Sequence, residues 1–267
     1  MNQEEINIYF SKHLSVEFSE REIQQMARIY FEDKGFSDIA RLDEDIQELK
    51  HGKPIQQITG QEYFFDRKFK VNNHVLIPRP ETEELVYWII TDYQGQDSVM
   101  RCIDIGTGSG IIPIILKSNF PYWQLYANDI SEEALIVANE NAIRHEVDIN
   151  FIHLDFLNAN IDFESRFDII VSNPPYITED ESGIMQGNVL NHEPHLALFA
   201  KNAQDFYNRI CEISKSKLTQ SGSVYVELNE HYAEQTKEVF QQYFEQVELK
   251  LDLQGKKRML RAKHQLS

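Results

Sequence analysis

Hydrophobic and polar residues alternate with two different periods along this chain, and the change of period divides it. From Ile6 to His51 the spacing is helical: Ser19 and Glu22 stand as a capping box, Ile23, Met26, Ala27 and Tyr30 share one apolar face, and Gly35 is a stop signal. After Gly60 the aromatic, partly alternating stretches 62–66 and 68–71 predict a β-hairpin, and Ile77-Pro78-Arg79-Pro80 marks a break before the next helical pattern. A helix is expected from about Glu81 to Tyr93. Apolar runs at 99–105, 123–128, 150–154, 167–172 and 223–228 then alternate with helical segments, which is the signature of a doubly wound parallel sheet and an α/β class. The tail differs: 247–253 and 258–262 flank Gly255-Lys256 and read as a closing antiparallel hairpin. The expected organisation is a helical docking domain at 1–60, a hairpin linker at 61–80 and a sheet domain at 81–267, without internal repeats.

Two breaks in this pattern carry chemistry. The run Phe167-Asp168-Ile169-Ile170-Val171-Ser172 stops at Asn173-Pro174-Pro175-Tyr176, where proline can neither donate to a ladder nor leave its predecessor free. A polar amide, a rigid backbone and an aromatic ring are thus presented at a strand's carboxyl end, where open α/β sheets bind ligands. The other break is Asp104-Ile105-Gly106-Thr107-Gly108-Ser109-Gly110, which ends the first sheet strand before a helical pattern. Its glycines allow a tight turn and close ligand approach at a helix N-terminus. Ile111 stands where a dinucleotide fingerprint wants a third glycine, which favours a nucleoside without a pyrophosphate, such as S-adenosylmethionine. A plain strand-to-helix turn is the competing account. Asp129, ending the next strand, can accept from both ribose hydroxyls or cap the helix near Ser131, a role open to Ser131 itself. Asp155 can accept from an exocyclic adenine amine or be an ordinary loop residue.

Composition narrows the setting. The 267 residues are 42% hydrophobic and 26% charged, enough for one large and one small domain. The longest apolar run, 111–116, is broken by Pro113 and too short to span a bilayer, and the polar, acidic start lacks signal-peptide character; a cytoplasmic location without membrane contact is expected. Cys102 and Cys211, the two cysteines, lie in apolar patterns, so neither a disulfide framework nor a metal site is indicated. The formal net charge of −17 argues against free DNA or RNA as main partner. It serves solubility or complements a basic protein.

The glycine loop, Asp129, Asp155 and Asn173-Pro174-Pro175-Tyr176, in this order, resemble class I S-adenosylmethionine-dependent methyltransferases that modify a planar amino or amide nitrogen. The resemblance implies a Rossmann-like, seven-stranded, mostly parallel sheet with a C-terminal antiparallel hairpin. It also implies that Asp104, Gly106, Thr107, Gly108, Gly110, Asp129, Asp155 and Asn173 hold the cofactor, which leaves as S-adenosylhomocysteine. Pro54 to Gly60, Tyr63-Phe64, and above all Arg79-Pro80-Glu81-Thr82-Glu83, with Glu193-Pro194 and with Asp252, Gly255 and Arg258, resemble the release-factor glutamine N5-methyltransferases over nearly the whole chain. That implies peptide chain release factors as protein substrate, a glutamine in a Gly-Gly-Gln loop as acceptor, and a monomer. Arg79 and Glu193 join Asn173, Pro174, Pro175 and Tyr176 as expected substrate contacts.

The chemistry suits these residue types. A carboxamide nitrogen is a poor nucleophile, its lone pair delocalised into the carbonyl. The Asn173 side-chain oxygen and the Pro174 carbonyl can each accept one of its hydrogens, aligning it with the sulfonium methyl and opposing its developing positive charge. Tyr176 can stack on the flat amide. Three rivals stand beside this expectation: an N6-adenine methyltransferase of DNA or RNA, which would carry a basic recognition surface, a glutamine methyltransferase of a ribosomal protein, and a cofactor-binding scaffold without turnover.

Overall fold

The computed structural model describes residues 1–36, 39–159, 165–175, 194, 202 and 204–266. It opens with α1 (Gln3–Leu14), α2 (Glu20–Asp33), α3 (Ile39–Lys50) and the short α4 (Ile55–Thr59). Asn2 and Ser19 begin α1 and α2 with reciprocal capping boxes to Glu5 and Glu22. At the far end of α2 the N–H groups of Lys34 and Gly35 both return to the Tyr30 carbonyl, with Gly35 at φ +67°. The face predicted at Ile23, Met26, Ala27 and Tyr30 is buried against Ile6, Phe10, Leu14, Leu42, Ile46 and Leu49, which form a core of their own.

The hairpin β1 (Gln61–Phe64) and β2 (Arg67–Lys70) turns through Phe65 and Asp66 at φ +51° and +55°, the left-handed pair that a two-residue turn requires. Its Phe64 and Phe69 do not join the helical core. They are buried with Leu85, Ile89 and Ile115 of the sheet unit. Toward the helices, the Lys68 ammonium pairs with Asp33 at 2.7 Å.

The sheet unit runs α5 (Pro80–Tyr93), β3 (Arg101–Ile105), α6 (Ile111–Asn119), β4 (Gln124–Asp129), α7 (Glu132–Arg144), β5 (Asn150–His153), β6 (Phe167–Ser172), α8 (Asp205–Lys217), β7 (Leu218–Glu227), α9 (Ala233–Gln241), β8 (Phe244–Leu251) and β9 (Lys257–Gln265). The seven strands lie in the order β5-β4-β3-β6-β7-β9-β8, the first five parallel and the last two antiparallel, so the expected class and the closing hairpin are both present. Side chains alternate between two apolar layers: Ile169, Val171 and Tyr225 enter one, Ile103, Ile170 and Val224 the other. Pro113 is tolerated as the third residue of α6, where a first-turn N–H has no partner inside the helix.

β7 begins at Leu218, five residues ahead of the expected start. Its register against β6 jumps from Phe167↔Leu218 to Ile169↔Ser223, so residues 219–222 bulge out. Their polarity reads as loop, and the sequence pattern hides the bulge. Gly222 sits there because a Cβ would lie 2.6 Å from Leu218 Cγ.

Candidate active site

Strand order reverses between β3 and β6, the place where such sheets open a ligand crevice. Ile105 lies in register with Ser172, and the Ser172 hydroxyl donates to the Ile105 carbonyl at 2.7 Å. The glycine loop and the proline turn therefore leave the sheet edge side by side.

Three positive φ angles shape the glycine loop, +72° at Gly106, +54° at Gly108 and +79° at Gly110. At Gly110 space is short as well, since a Cβ would lie 3.1 Å from Ala138 Cβ on α7. The Asn128 carbonyl at the end of β4 accepts from the N–H groups of Gly106 (3.0 Å) and Thr107 (2.9 Å). Asp129 takes the next contact: Oδ2 accepts from Gly108 N at 2.8 Å and Oδ1 from Ser131 N at 3.0 Å. The cap of α7 is the Ser131 hydroxyl, accepting from Ala134 N at 3.1 Å. One Asp129 oxygen is thus held by the glycine loop and the other by the entry to α7, with the Ile130 N–H as a further donor to the carboxylate. Burial raises its carboxyl above the ordinary range, against the pull of the surrounding N–H groups.

Behind the loop lie buried polar atoms that no described residue bonds at ordinary geometry. Both oxygens of the fully buried Asp104, the Thr107 hydroxyl and Asn128 Oδ1 are enclosed without a hydrogen bond of ordinary geometry. Burial pushes the Asp104 carboxyl up to about 7, Asp129 adding to the rise and the neighbouring Thr107 hydroxyl countering part of it. Orphaned acceptors in a native fold ask for a ligand donor. A group carrying an ammonium and hydroxyls fits them. Asp155 has local work: Oδ1 accepts from the N–H groups of Leu157 (3.1 Å) and Asn158 (3.2 Å), and Oδ2 from Asn158 Nδ2 (2.8 Å). It shapes its own turn at the edge of the crevice.

Asn173 is held from outside β6. Its Nδ2 donates to Thr82 Oγ1 at 3.0 Å, and the Thr82 hydroxyl donates to Glu227 Oε2 at 2.7 Å. Thr82 and Glu227 are both 1% exposed. Pro174 is buried and Pro175 half-buried beside it, while Tyr176 and Glu193 lie outside the described residues. Arg79 immediately precedes α5, and its carbonyl accepts from Thr82 N at 3.1 Å. Nearby, burial raises the Glu62 carboxyl, and the Tyr63 N–H, the Gln56 side chain and, least, the Arg79 charge draw it back. The Arg-Pro-Glu-Thr-Glu stretch thus reaches the proline turn through Thr82.

The sequence gives Thr82 no role beyond its place in the Arg79–Glu83 stretch and does not single out Glu227 or Asn141. The fully buried Asn141 of α7 donates to the carbonyls of Ser109 (2.9 Å) and Lys70 (3.0 Å) and accepts from Lys70 N at 2.7 Å, tying the glycine loop to β2. An acidic residue closing the apolar run Val224-Tyr225-Val226 was the one available signal for Glu227. For Asn141, a polar position on the inner face of a helix offered none that distinguishes it from a solvated asparagine.

Comparison with known proteins adds to this geometry. A family model, the methyltransferase small domain, matches residues 94–256. A release factor glutamine methyltransferase of Flavobacterium psychrophilum is 40% identical over 94% of this chain and 95% of its own. Another, of Lactococcus lactis subsp. lactis, is 42% identical over 83% of this chain and 82% of its own. Among solved structures, a methyltransferase from Pyrococcus furiosus shares the fold at a TM-score of 0.54 and 17% identity, covering 84% of this chain and 96% of that one.

Proposed function

The chain belongs to the release factor glutamine methyltransferase family, and from that premise we propose that it moves a methyl group from S-adenosylmethionine to the side-chain amide nitrogen of the Gly-Gly-Gln glutamine in peptide chain release factors. The observation that carries this reading is the fixed Asn173 amide one residue past the Ile105–Ser172 register, beside a loop backed by unsatisfied acceptors.

In this reading Asp104 and Thr107 receive the amino-acid end of the cofactor, and Asp129 accepts from the ribose hydroxyls. Asp155, its carboxylate already bonded within its turn, is left with spare lone pairs for the adenine amine. Gly106 and Gly108 have open space where a Cβ would stand, so the ligand lies against main chain there, while Gly110 lets the loop close onto α7. The cofactor supplies a methyl group on a cationic sulfonium, an electrophile with a good leaving group.

The protein's own task is to aim a reluctant nitrogen. Asn173 Oδ1 and the Pro174 carbonyl each accept one hydrogen of the substrate amide, holding its plane so that the nitrogen faces the methyl. Both are neutral dipoles, so they stabilise positive charge growing on nitrogen without first removing a proton, and one nitrogen-bound proton is released to water once the methyl group is on nitrogen. Tyr176 stacks on the amide plane, and Arg79 and Glu193 contact the protein substrate around it. The acidic chain suits a protein partner better than a phosphate backbone. No helix among the described residues is long and apolar enough to cross a membrane.

Incubation of the purified protein with methyl-labelled cofactor and a release factor tests the reading. Label is expected on the glutamine of the Gly-Gly-Gln loop and absent once that glutamine is replaced. Label that survives the replacement, or appears on nucleic acid instead, overturns it. Asn173→Ala should cut turnover roughly 100-fold or more, in the range for removing one polar group aimed at developing charge. Cofactor affinity should be largely kept.

A further inference from the structure

Asparagine presents two ends of nearly equal shape, one accepting and one donating. Rotated by half a turn, Asn173 would offer an NH2 group to the substrate NH2 group, two donors face to face. Nothing in Asn173 itself forbids that rotation. The neighbouring elements do, because the Thr82 hydroxyl has a single proton and the Glu227 carboxylate at 2.7 Å takes it. Thr82 Oγ1 is left with lone pairs alone toward Asn173, so the end of the amide that faces it at 3.0 Å must be Nδ2.

We propose that Thr82 and Glu227 are positioning residues for methyl transfer: the ordered chain Glu227–Thr82–Asn173 sets which end of the Asn173 amide meets the substrate nitrogen. The proposal rests on the reading of Asn173 as the acceptor for that nitrogen. Each member comes from a different element, Thr82 from the first turn of α5, Asn173 from the end of β6 and Glu227 from the end of β7. Each anchor is itself held. Thr82 N donates to the Arg79 carbonyl at 3.1 Å, and the Tyr207 hydroxyl donates to the Glu227 carbonyl at 3.0 Å. With both hydroxyl and carboxylate buried, water does not compete for the proton, and the order of donors persists. The arrangement also gives a reason for a threonine at this place in the stretch that begins at Arg79. Valine has its shape but offers Asn173 no lone pair.

Thr82→Val, Thr82→Ser and wild type are compared for kcat, KM of the release factor and cofactor affinity by calorimetry. Thr82→Val should lose at least tenfold in kcat, with cofactor affinity within twofold, and Thr82→Ser should recover most of the loss because it keeps the hydroxyl. Turnover of Thr82→Val at the wild-type level overturns the proposal. So does a Thr82→Ser loss equal to that of Thr82→Val, which would assign the effect to the missing methyl. Wild type that labels no release factor overturns the functional reading instead, and the two failures are therefore distinct. Should Thr82→Val not fold, the side-chain amide protons of wild-type Asn173, identified by their absence in Asn173→Asp, serve by nitrogen-edited NMR. One proton protected from exchange supports the chain of hydrogen bonds, and two freely exchanging protons refute it.

Discussion

The Ser172 hydroxyl donates to the Ile105 carbonyl at 2.7 Å, both at the last paired position of adjacent parallel strands. This bond joins the strand that launches the glycine loop to the strand that launches the proline turn. It lies in the buried interior, where a carbonyl left without its donor is costly. Ser172→Ala is expected to lower unfolding stability by about 1 to 2 kcal/mol, read as a lower urea midpoint with an unchanged slope. An unchanged midpoint would show the bond to be energetically idle.

Gly110 combines a left-handed backbone with a close neighbour. Alanine there meets φ +79° and a contact of 3.1 Å to Ala138 Cβ. Strain of about 1 kcal/mol or more and crowding of about 1 to 3 kcal/mol add in the same direction. Gly110→Ala should therefore destabilise the protein by roughly 2 to 4 kcal/mol in thermal or urea unfolding. Pairing it with Ala138→Gly should return the crowding part and leave the backbone part. If the pair is no more stable than Gly110→Ala alone, the crowding account is wrong.

Asp104 gives the cofactor-free protein a pH signature. Below about pH 4 its carboxyl is neutral in the folded and the unfolded chain alike. As pH rises toward 7 the unfolded chain ionises it freely, whereas the fold buries it and holds its carboxyl up to about 7. The stabilising preference for the protonated form is present in full at acid pH and is lost as pH climbs through that window. In the absence of cofactor, Asp104→Asn should thus gain in Tm relative to wild type between pH 5 and pH 8. A gap that stays constant with pH would remove the buried carboxyl from the account. Cofactor affinity of wild type should rise over the same interval, because an ionised Asp104 is the better partner for an ammonium, and Asp104→Asn should lack that rise.

What the sequence conceals here has a common physical form. The apolar run 167–172, its double proline and the glycine loop are local signals, and each sits in the structure where its own residues put it. The capping box at Ser19 and Glu22 is likewise contained within four residues. Thr82 and Asn173 are 91 positions apart, and the direction of their hydrogen bond is decided by Glu227, which is 145 positions from Thr82. No periodicity encodes that. Asp129 and Asp155 look alike at the ends of successive strands, yet one grips the glycine loop and the other its own turn, a difference set by which N–H groups the loops happen to deliver. The bulge at 219–222 escaped because it is polar and glycine-ended, which is also what a loop is.

Asn141 welds two things that the sequence keeps apart. Its one amide grips Ser109, in the wall of the crevice, and Lys70, the last residue of the hairpin that carries the amino-terminal helices. Lys68, two residues earlier, is already paired with Asp33 of α2. A continuous run of contacts therefore joins α2 to the glycine loop. A residue added to or removed from the ten positions after Gly60 would shift Lys68 against Asp33 or Lys70 against Asn141, and the second of these contacts is the one that reaches the glycine loop.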